Sequence, residues 1–405
     1  MTPGALKREL GLFGAIVTGL GSILGTGAFV AIGLASASWG DAVLWAIPLA
    51  AVVATFNGLS SAFLAGRFPV AGGTYEYGYQ TLGPLWGFSA GWMFLLAKTA
   101  SAASAALGIA IYLGIRSEVA AATLIAVSVT GLVAAGLRRT TMVNAALLAG
   151  SVAGLAAFAI AGLLDRGKGT VSLTLGEGGG LVAIPSAVAF LFVAYTGYGR
   201  IATLGEEVKD PARVIPKAVV VTLALSAALY MGVAVGGRML DGEHWGAVLS
   251  IFDSGLADMV QQPFATIVTV AAVTALAGVL LNLVLGLSRV WLAMARRGDL
   301  PRYLSRLTGD ANPVRAVAAA GLLVAGSTLV GDISLAWSFS AVTVLIYYGI
   351  TNLAALSVDS RRATAWAGMA SCLFLSFYVP LPVWLLAVGL LALGVVGKTW
   401  LERTR

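Results

Sequence analysis

The sequence predicts an all-α polytopic membrane protein with about 12 transmembrane helices. Two observations carry this. Of 405 residues, 59% are hydrophobic and only 11% are charged, far from the roughly 25% charged of soluble domains. The apolar residues also come in long unbroken runs, such as Ala42 to Ala65, Ser117 to Ala135, Val219 to Gly236 and Ala316 to Val330. A helix that is apolar all round must be surrounded by lipid or by other membrane helices.

Apolar stretches of roughly 17 to 25 residues give twelve spans, near 10–37, 42–65, 84–114, 117–136, 141–164, 184–204, 217–237, 263–288, 315–331, 333–356, 364–379 and 382–397. An even number puts both termini on one side. That side carries 19 of the 25 Lys and Arg residues, against four (Arg116, Arg166, Lys168, Arg238) on the other. By the positive-inside rule the N- and C-termini are expected in the cytoplasm and the chain in the cell inner (plasma) membrane, multi-pass. The net charge of +7 is then a topology signal, and no nucleic-acid partner is implied. The first apolar stretch is about twice the length of a signal-peptide core, so it reads as a mature helix.

The chain forms one transmembrane domain, 1–405. Its long external segment, Arg238 to Gln262, spaces Trp245, Ile251, Phe252 and Leu256 as an amphipathic surface helix would. One cysteine, Cys372, and one histidine, His244, supply no cluster of soft metal ligands. No metal or other cofactor is expected. Paired intramembrane aspartates, an embedded histidine and a glycine-flanked serine elbow are all missing from the sequence, which argues against an enzyme.

Spans 1 and 6 are interrupted by glycines: GSILGTGAF, Gly21 to Phe29, and AYTGYGR, Ala194 to Arg200. Five spans separate them, which suggests a five-plus-five arrangement with repeats at about 10–164 and 184–356 and two extra helices at 364–397. The glycines either let helices pack closely or open the helix. Unwound backbone at bilayer depth is tolerated where it lines a cavity. There, free N–H groups suit a carboxylate and free carbonyls suit an ammonium, the two ends of an amino acid.

These segments, with PVAGGTYEYG at Pro69 to Gly78, GPLWGFSAGW at Gly83 to Trp92, EEVKDPARVIPKA at Glu206 to Ala218 and SRVWLAMARRGDLP at Ser288 to Pro301, resemble the amino acid-polyamine-organocation transporter superfamily. The resemblance implies a leucine-transporter-type inverted-repeat fold and an amino acid permease. It implies that Ile23, Gly25, Thr26 and Gly27 meet the substrate carboxylate, that Val193, Ala194 and Thr196 meet the ammonium, and that Tyr195 or Tyr198 forms an aromatic lid. The chain departs from relatives at Gly199-Arg200, where many have a carboxylate, and at Ser151, where some have a lysine. A sensor that binds without transporting would keep the same site, as would a permease or exchanger for another small amine-containing solute.

Two residues, Lys98 and Arg200, place charge inside spans, and none of the 18 acidic residues falls in a membrane core. A cationic substrate would lack a buried counter-charge. Neutral amino acids are therefore expected first, anionic ones second, and polyamines or arginine last. Lys98 lies 14 residues past Pro84 and 16 before Gly114, about 20 Å from either end of span 3 at 1.5 Å per residue. Its helix face carries Ser101, Ala102 and Ala105, which points the amine into the bundle. It is either the group that couples transport to protons, sodium being the other coupling ion to consider, or a permanently charged lysine bonded to freed carbonyls of span 1. Oligomeric state is not legible.

Overall fold

The computed structural model describes residues 10–68, 72–164, 180–203, 208–239, 263–308 and 312–403. Among these, eight helices are long and apolar enough to cross a membrane, and four shorter apolar helices coincide with the expected spans 4, 5, 9 and 11. Spans 1 to 6 are Leu12–Trp39 (interrupted), Ala42–Arg67, Pro84–Tyr112, Glu118–Ala134, Leu137–Leu164 and Gly180–Ala202 (interrupted). Spans 7 to 12 are Pro211–Met239, Pro263–Arg297, Val314–Thr328, Ile333–Val358, Ala363–Ser376 and Leu381–Arg403. No strand occurs among the described residues; one isolated bridge pairs Leu10 with Val208. The expected surface helix around Trp245, together with Glu206 and Glu207, lies outside the described residues.

Because the spans alternate in direction, the start of span 1 and the end of span 12 share a side, here called the near side. The far side holds the end of span 1 and the start of span 10. Span 3 sits at the centre. Its second half presents Ala97, Ala102, Ala103, Ala105, Ala106 and Ala110, all buried, and such small residues let neighbouring helices approach closely where no hydrophobic effect drives them together. Span 12 is peripheral, with Leu385, Leu393, Val396 and Trp400 exposed to the lipid side.

Span 8 runs farther than its apolar stretch, which ends near residue 288. Good helix formers (WLAMARR) carry it on, and it stops where Gly298 takes φ 87, a left-handed geometry that glycine adopts without penalty. The extension places Arg289 on a helix rather than in a loop.

A short helix, Thr74–Leu82, fills the near-side connection between spans 2 and 3. Two of the sequence motifs meet there. Arg297 pairs with Glu76, and Asp299 accepts from Tyr75 at 2.7 Å and Tyr79 at 2.9 Å. Lys398 of span 12 closes the group, 3.1 Å from Asp299 and 2.9 Å from the Tyr79 hydroxyl. Asp299 and Lys398 are both buried, and a buried carboxylate needs such a full set of donors.

Candidate functional site

Span 1 breaks in its middle. The first half ends at Ile23, Leu24 is extended (φ -74, ψ 115), and Gly25 has φ +155. The second half restarts at Gly27 with a widened turn in which Ile32 donates to the Gly27 carbonyl five residues back. The first N–H groups of the restarted helix have no partner within it. Span 6 breaks more gently: the α-helix ends at Tyr195, a tight turn covers Thr196–Tyr198, and the helix resumes over Gly199–Ala202.

The two breaks touch. A Cβ on Gly197 would overlap the Ser22 carbonyl and lie 2.7 Å from Ile23 Cγ1, so glycine lets span 6 cross span 1 backbone against backbone. Gly25 meets span 8 in the same way, since its Cβ would stand 2.5 Å from Val279 Cγ2 and 2.7 Å from the Ala275 carbonyl. Both sequence readings of the glycines therefore hold together: they permit close packing, and they do so at a break.

Side chains hold the broken segments. The Tyr230 hydroxyl on span 7 lies 2.8 Å from the Ile23 carbonyl and 3.2 Å from the Ala194 carbonyl, one from each break. Asn282 on span 8 donates to the Gly21 carbonyl at 3.0 Å and to its own Gly278 carbonyl at 2.9 Å. Lys98 donates to Thr196 Oγ1 at 2.8 Å, and Thr196 in turn donates to the Val193 carbonyl at 2.7 Å. Lys98 is thus tied to span 6, not to carbonyls of span 1.

A cavity lies between the breaks and spans 3, 8 and 10. It contains about 820 Å³ of space not filled by atoms, its open part included. Ile23, Thr26, Gly27, Lys98, Val193, Ala194 and Thr196 all line it, so seven of the residues expected at the site come together. Thr26 Oγ1 is buried with no hydrogen-bond partner among the described residues, which leaves it able to meet a ligand. The Val193 and Ala194 carbonyls each accept one side-chain hydroxyl, from Thr196 and Tyr230.

Three expected residues stand elsewhere. Gly25 packs against span 8 and is not part of the lining. Tyr195 turns to span 2, donating to the Ile47 carbonyl at 3.1 Å and packing on Tyr230. Tyr198 packs on Tyr348 of span 10. Neither tyrosine lines the cavity; its aromatic walls are Phe94 and Trp337. Ser151, at the position of a lysine in some relatives, donates to the Leu147 carbonyl of its own helix.

The near-side part of the lining includes Arg200, Thr203, Gly286, Arg289 and Val290, whereas Trp337 stands at the far-side end. The lining contains Lys98, Arg200 and Arg289 and no Asp or Glu among the described residues. Sequence reading missed Tyr230, Asn282 and Trp337. A lone Asn in an apolar span was a usable signal, because an amide in hydrocarbon must find a partner; a Tyr or Trp in such a span is too common to single out.

The chain is a many-spanned helical bundle with two broken helices around a central cavity, and it belongs to the amino acid permease family, whose model matches residues 14–400. It is 37% identical to an uncharacterized transporter of Mycobacterium tuberculosis, over 97% of this chain and 90% of that protein. It is 28% identical to the branched-chain amino acid permease of Bacillus subtilis, over 75% of this chain and 70% of the relative. It is also 29% identical to a vacuolar cationic amino acid transporter of Arabidopsis thaliana, over 82% of this chain and 60% of that protein.

Proposed function

We propose that the chain is a secondary active permease for neutral amino acids, working by alternating access and coupled to protons through Lys98. The observation that carries this is the placement of Lys98: one amine, bonded to Thr196 at the break of span 6, inside a cavity whose described lining has no carboxylate. An ammonium-bearing substrate side chain would stand near the Lys98 amine in low dielectric, which costs several kcal/mol when that amine is protonated. This separates the chain from its cationic-amino-acid relative and favours the branched-chain one.

In this reading the Thr26 hydroxyl and the N–H groups beginning the second half of span 1, at Gly27, receive the substrate carboxylate. The restarted helix adds its positive dipole end. The ammonium sits on the Val193 and Ala194 carbonyls and on that of Ile23, which as an acceptor suits an ammonium and not the carboxylate expected for it from the resemblance. Lys98 exchanges its proton as the cavity opens to one side and then the other, which changes the hold on Thr196 and so on span 6. The two halves, 10–164 and 184–356, form inverted repeats, and 364–397 adds two helices. The near side is cytoplasmic and the membrane is the cell inner membrane, as the count of 19 basic residues against four indicates.

Uptake into proteoliposomes, with an amino acid panel and with sodium and proton gradients imposed separately, tests this. Accumulation of alanine, serine or leucine driven by a proton gradient is expected. Binding without accumulation would mean a sensor. Micromolar binding of arginine or putrescine, with no response to neutral amino acids, overturns the substrate assignment.

A further inference from the structure

A short column of aromatic rings stands at the far-side end of the cavity. Trp39, the last residue of span 1, packs on Phe190 of span 6 with ring centroids 5.4 Å apart and planes at 64°. Phe190 in turn packs on Trp337 of span 10 at 6.2 Å. From the far side inward the order is Trp39, Phe190, Trp337, cavity. Trp337 is buried and is the ring of the three that lines the cavity.

Trp337 is also the ring of the column with a hydrogen bond across helices: its indole N–H donates to the Phe190 carbonyl at 3.0 Å. It stands four residues into span 10, about 6 Å below the far-side end of that helix at 1.5 Å per residue. One turn deeper, Ser340 accepts from Ser101 of span 3 at 2.8 Å and donates to the Ala97 carbonyl at 3.0 Å. Span 10 is therefore fastened to span 3 at Ser340 and to span 6 at Trp337. The first contact is between two intact helices. The second joins an intact helix to a broken one, at Phe190, six residues before the break at Thr196.

We propose that Trp337 is the far-side gate of the cavity, held shut by its indole bond to the Phe190 carbonyl. Opening to the far side parts span 6 from span 10 at this bond and leaves the Ser101–Ser340 fastening intact. The indole suits both tasks, since its large apolar face excludes water and its N–H fixes the ring in one orientation. The proposal rests on the transporter reading for its meaning, because a gate matters only if the cavity faces each side in turn. The ring column and the barrier it makes are properties of access alone.

A thiol reporter tests it without requiring transport. With Cys372→Ala removing the native thiol, Ser101→Cys places a reporter beneath Trp337 that is close in size to serine; the thiol is a weaker donor to Ser340, but span 10 keeps its bond from Ser340 to the Ala97 carbonyl of span 3. Membrane-impermeant maleimide is added from the far side or from the near side of oriented vesicles, and the ratio of the two labelling rates is read. Trp337→Phe keeps a ring and loses one neutral hydrogen bond, so the far-to-near ratio is expected to rise about fivefold. Trp337→Ala removes the ring as well and is expected to raise it by tenfold or more. An unchanged ratio in both variants overturns the gate, and so does an equal rise from both sides, which would signal general loosening. If the ratio shifts as expected but no variant, nor the parent, accumulates amino acid, the gate stands and the transporter reading fails.

Discussion

Gly197 of span 6 lies directly against the Ser22 carbonyl of span 1, where the two broken helices meet backbone to backbone. Neither a methyl group nor a shift of the carbonyl fits there, because Ile23 Cγ1 would also stand 2.7 Å from the new carbon. Overpacking of this kind typically costs 1–3 kcal/mol, and here it falls on the two segments that form the cavity. Gly197→Ala is expected to cut uptake to below about one tenth while the protein still reaches the membrane. Gly25→Ala and Gly27→Ala are expected to do the same. For Gly25 the obstacle is the Ala275 carbonyl of span 8, and for Gly27 it is the Tyr230 hydroxyl and the Ala194 methyl. Initial uptake rates normalised to membrane protein, with a surface-helix Gly131→Ala variant as control, check this; nothing stands within 4 Å of a Cβ at Gly131. Normal transport by all three break variants would contradict it.

Tyr230 bears on the same crossing from the other side. Its one hydroxyl proton is offered to two carbonyls, Ile23 at 2.8 Å and Ala194 at 3.2 Å, so it fixes the spacing of the acceptors expected to face an ammonium. Tyr230→Phe keeps the ring packed on Tyr195 and leaves a buried carbonyl short of a donor, at a cost of about 1–3 kcal/mol. The expected result is substrate binding weakened by about tenfold with little loss of folded protein. Scintillation proximity binding on purified protein gives the affinity. A larger loss of stability than of affinity would assign Tyr230 to packing alone.

The difference between these glycines and Tyr230 shows what the sequence made legible. Twelve apolar runs predicted twelve helices because membrane burial leaves a continuous pattern along the chain. The two glycine motifs predicted two breaks: in span 1 Gly25 takes φ +155, which residues with a side chain rarely adopt, and in span 6 Gly197 leaves room for the Ser22 carbonyl. The partners of the breaks, Tyr230, Asn282 and Trp337, come from spans 7, 8 and 10, and only tertiary packing brings them there. Tyr195 and Tyr198 illustrate the converse. Both flank the break in sequence, but a helical rotation of about 100° per residue turns them to span 2 and span 10, away from the cavity. The burial of Asp299 was hidden for a related reason: RRGDLP reads as polar by itself, and its tyrosine and lysine donors lie more than 200 residues before it and about 100 after it.

That buried pair gives a stability prediction. Lys398 loses its counter-ion in Asp299→Ala, while Tyr75 and Tyr79 lose their common acceptor. Breaking one side of a buried ion pair typically costs 3–5 kcal/mol, so the variant is expected to melt well below the parent in detergent. The Tyr75 hydroxyl is held protonated, first by burial and then by its bond to Asp299, so it remains a donor across the accessible pH range and the network should not loosen in mild alkali. Asp299→Asn retains an acceptor for one tyrosine and should fall between. Equal melting of all three proteins would show that the network does not hold the short helix Thr74–Leu82 to spans 8 and 12.

Lys98 provides the test of ion coupling. Its amine is buried, and its one described hydrogen bond goes to Thr196 Oγ1, a hydroxyl that itself donates to Val193 and therefore accepts from the lysine. A hydroxyl accepts from a charged or a neutral amine alike, so this contact does not lock the protonation state as a carboxylate would. If a proton on Lys98 moves with the substrate, accumulation should grow as the loading side is made more acidic than the receiving side, with sodium absent. Lys98→Ala removes the proton carrier and Lys98→Arg makes the charge permanent. Both are expected to lose gradient-driven accumulation, and both can retain binding and exchange of bound amino acid, since neither removes a carboxylate or ammonium contact proposed above. Uptake measured against pH for the three proteins decides the matter. Full pH-dependent accumulation by Lys98→Arg rules out proton carriage by Lys98 and leaves it as a fixed positive charge that fastens span 3 to the break in span 6.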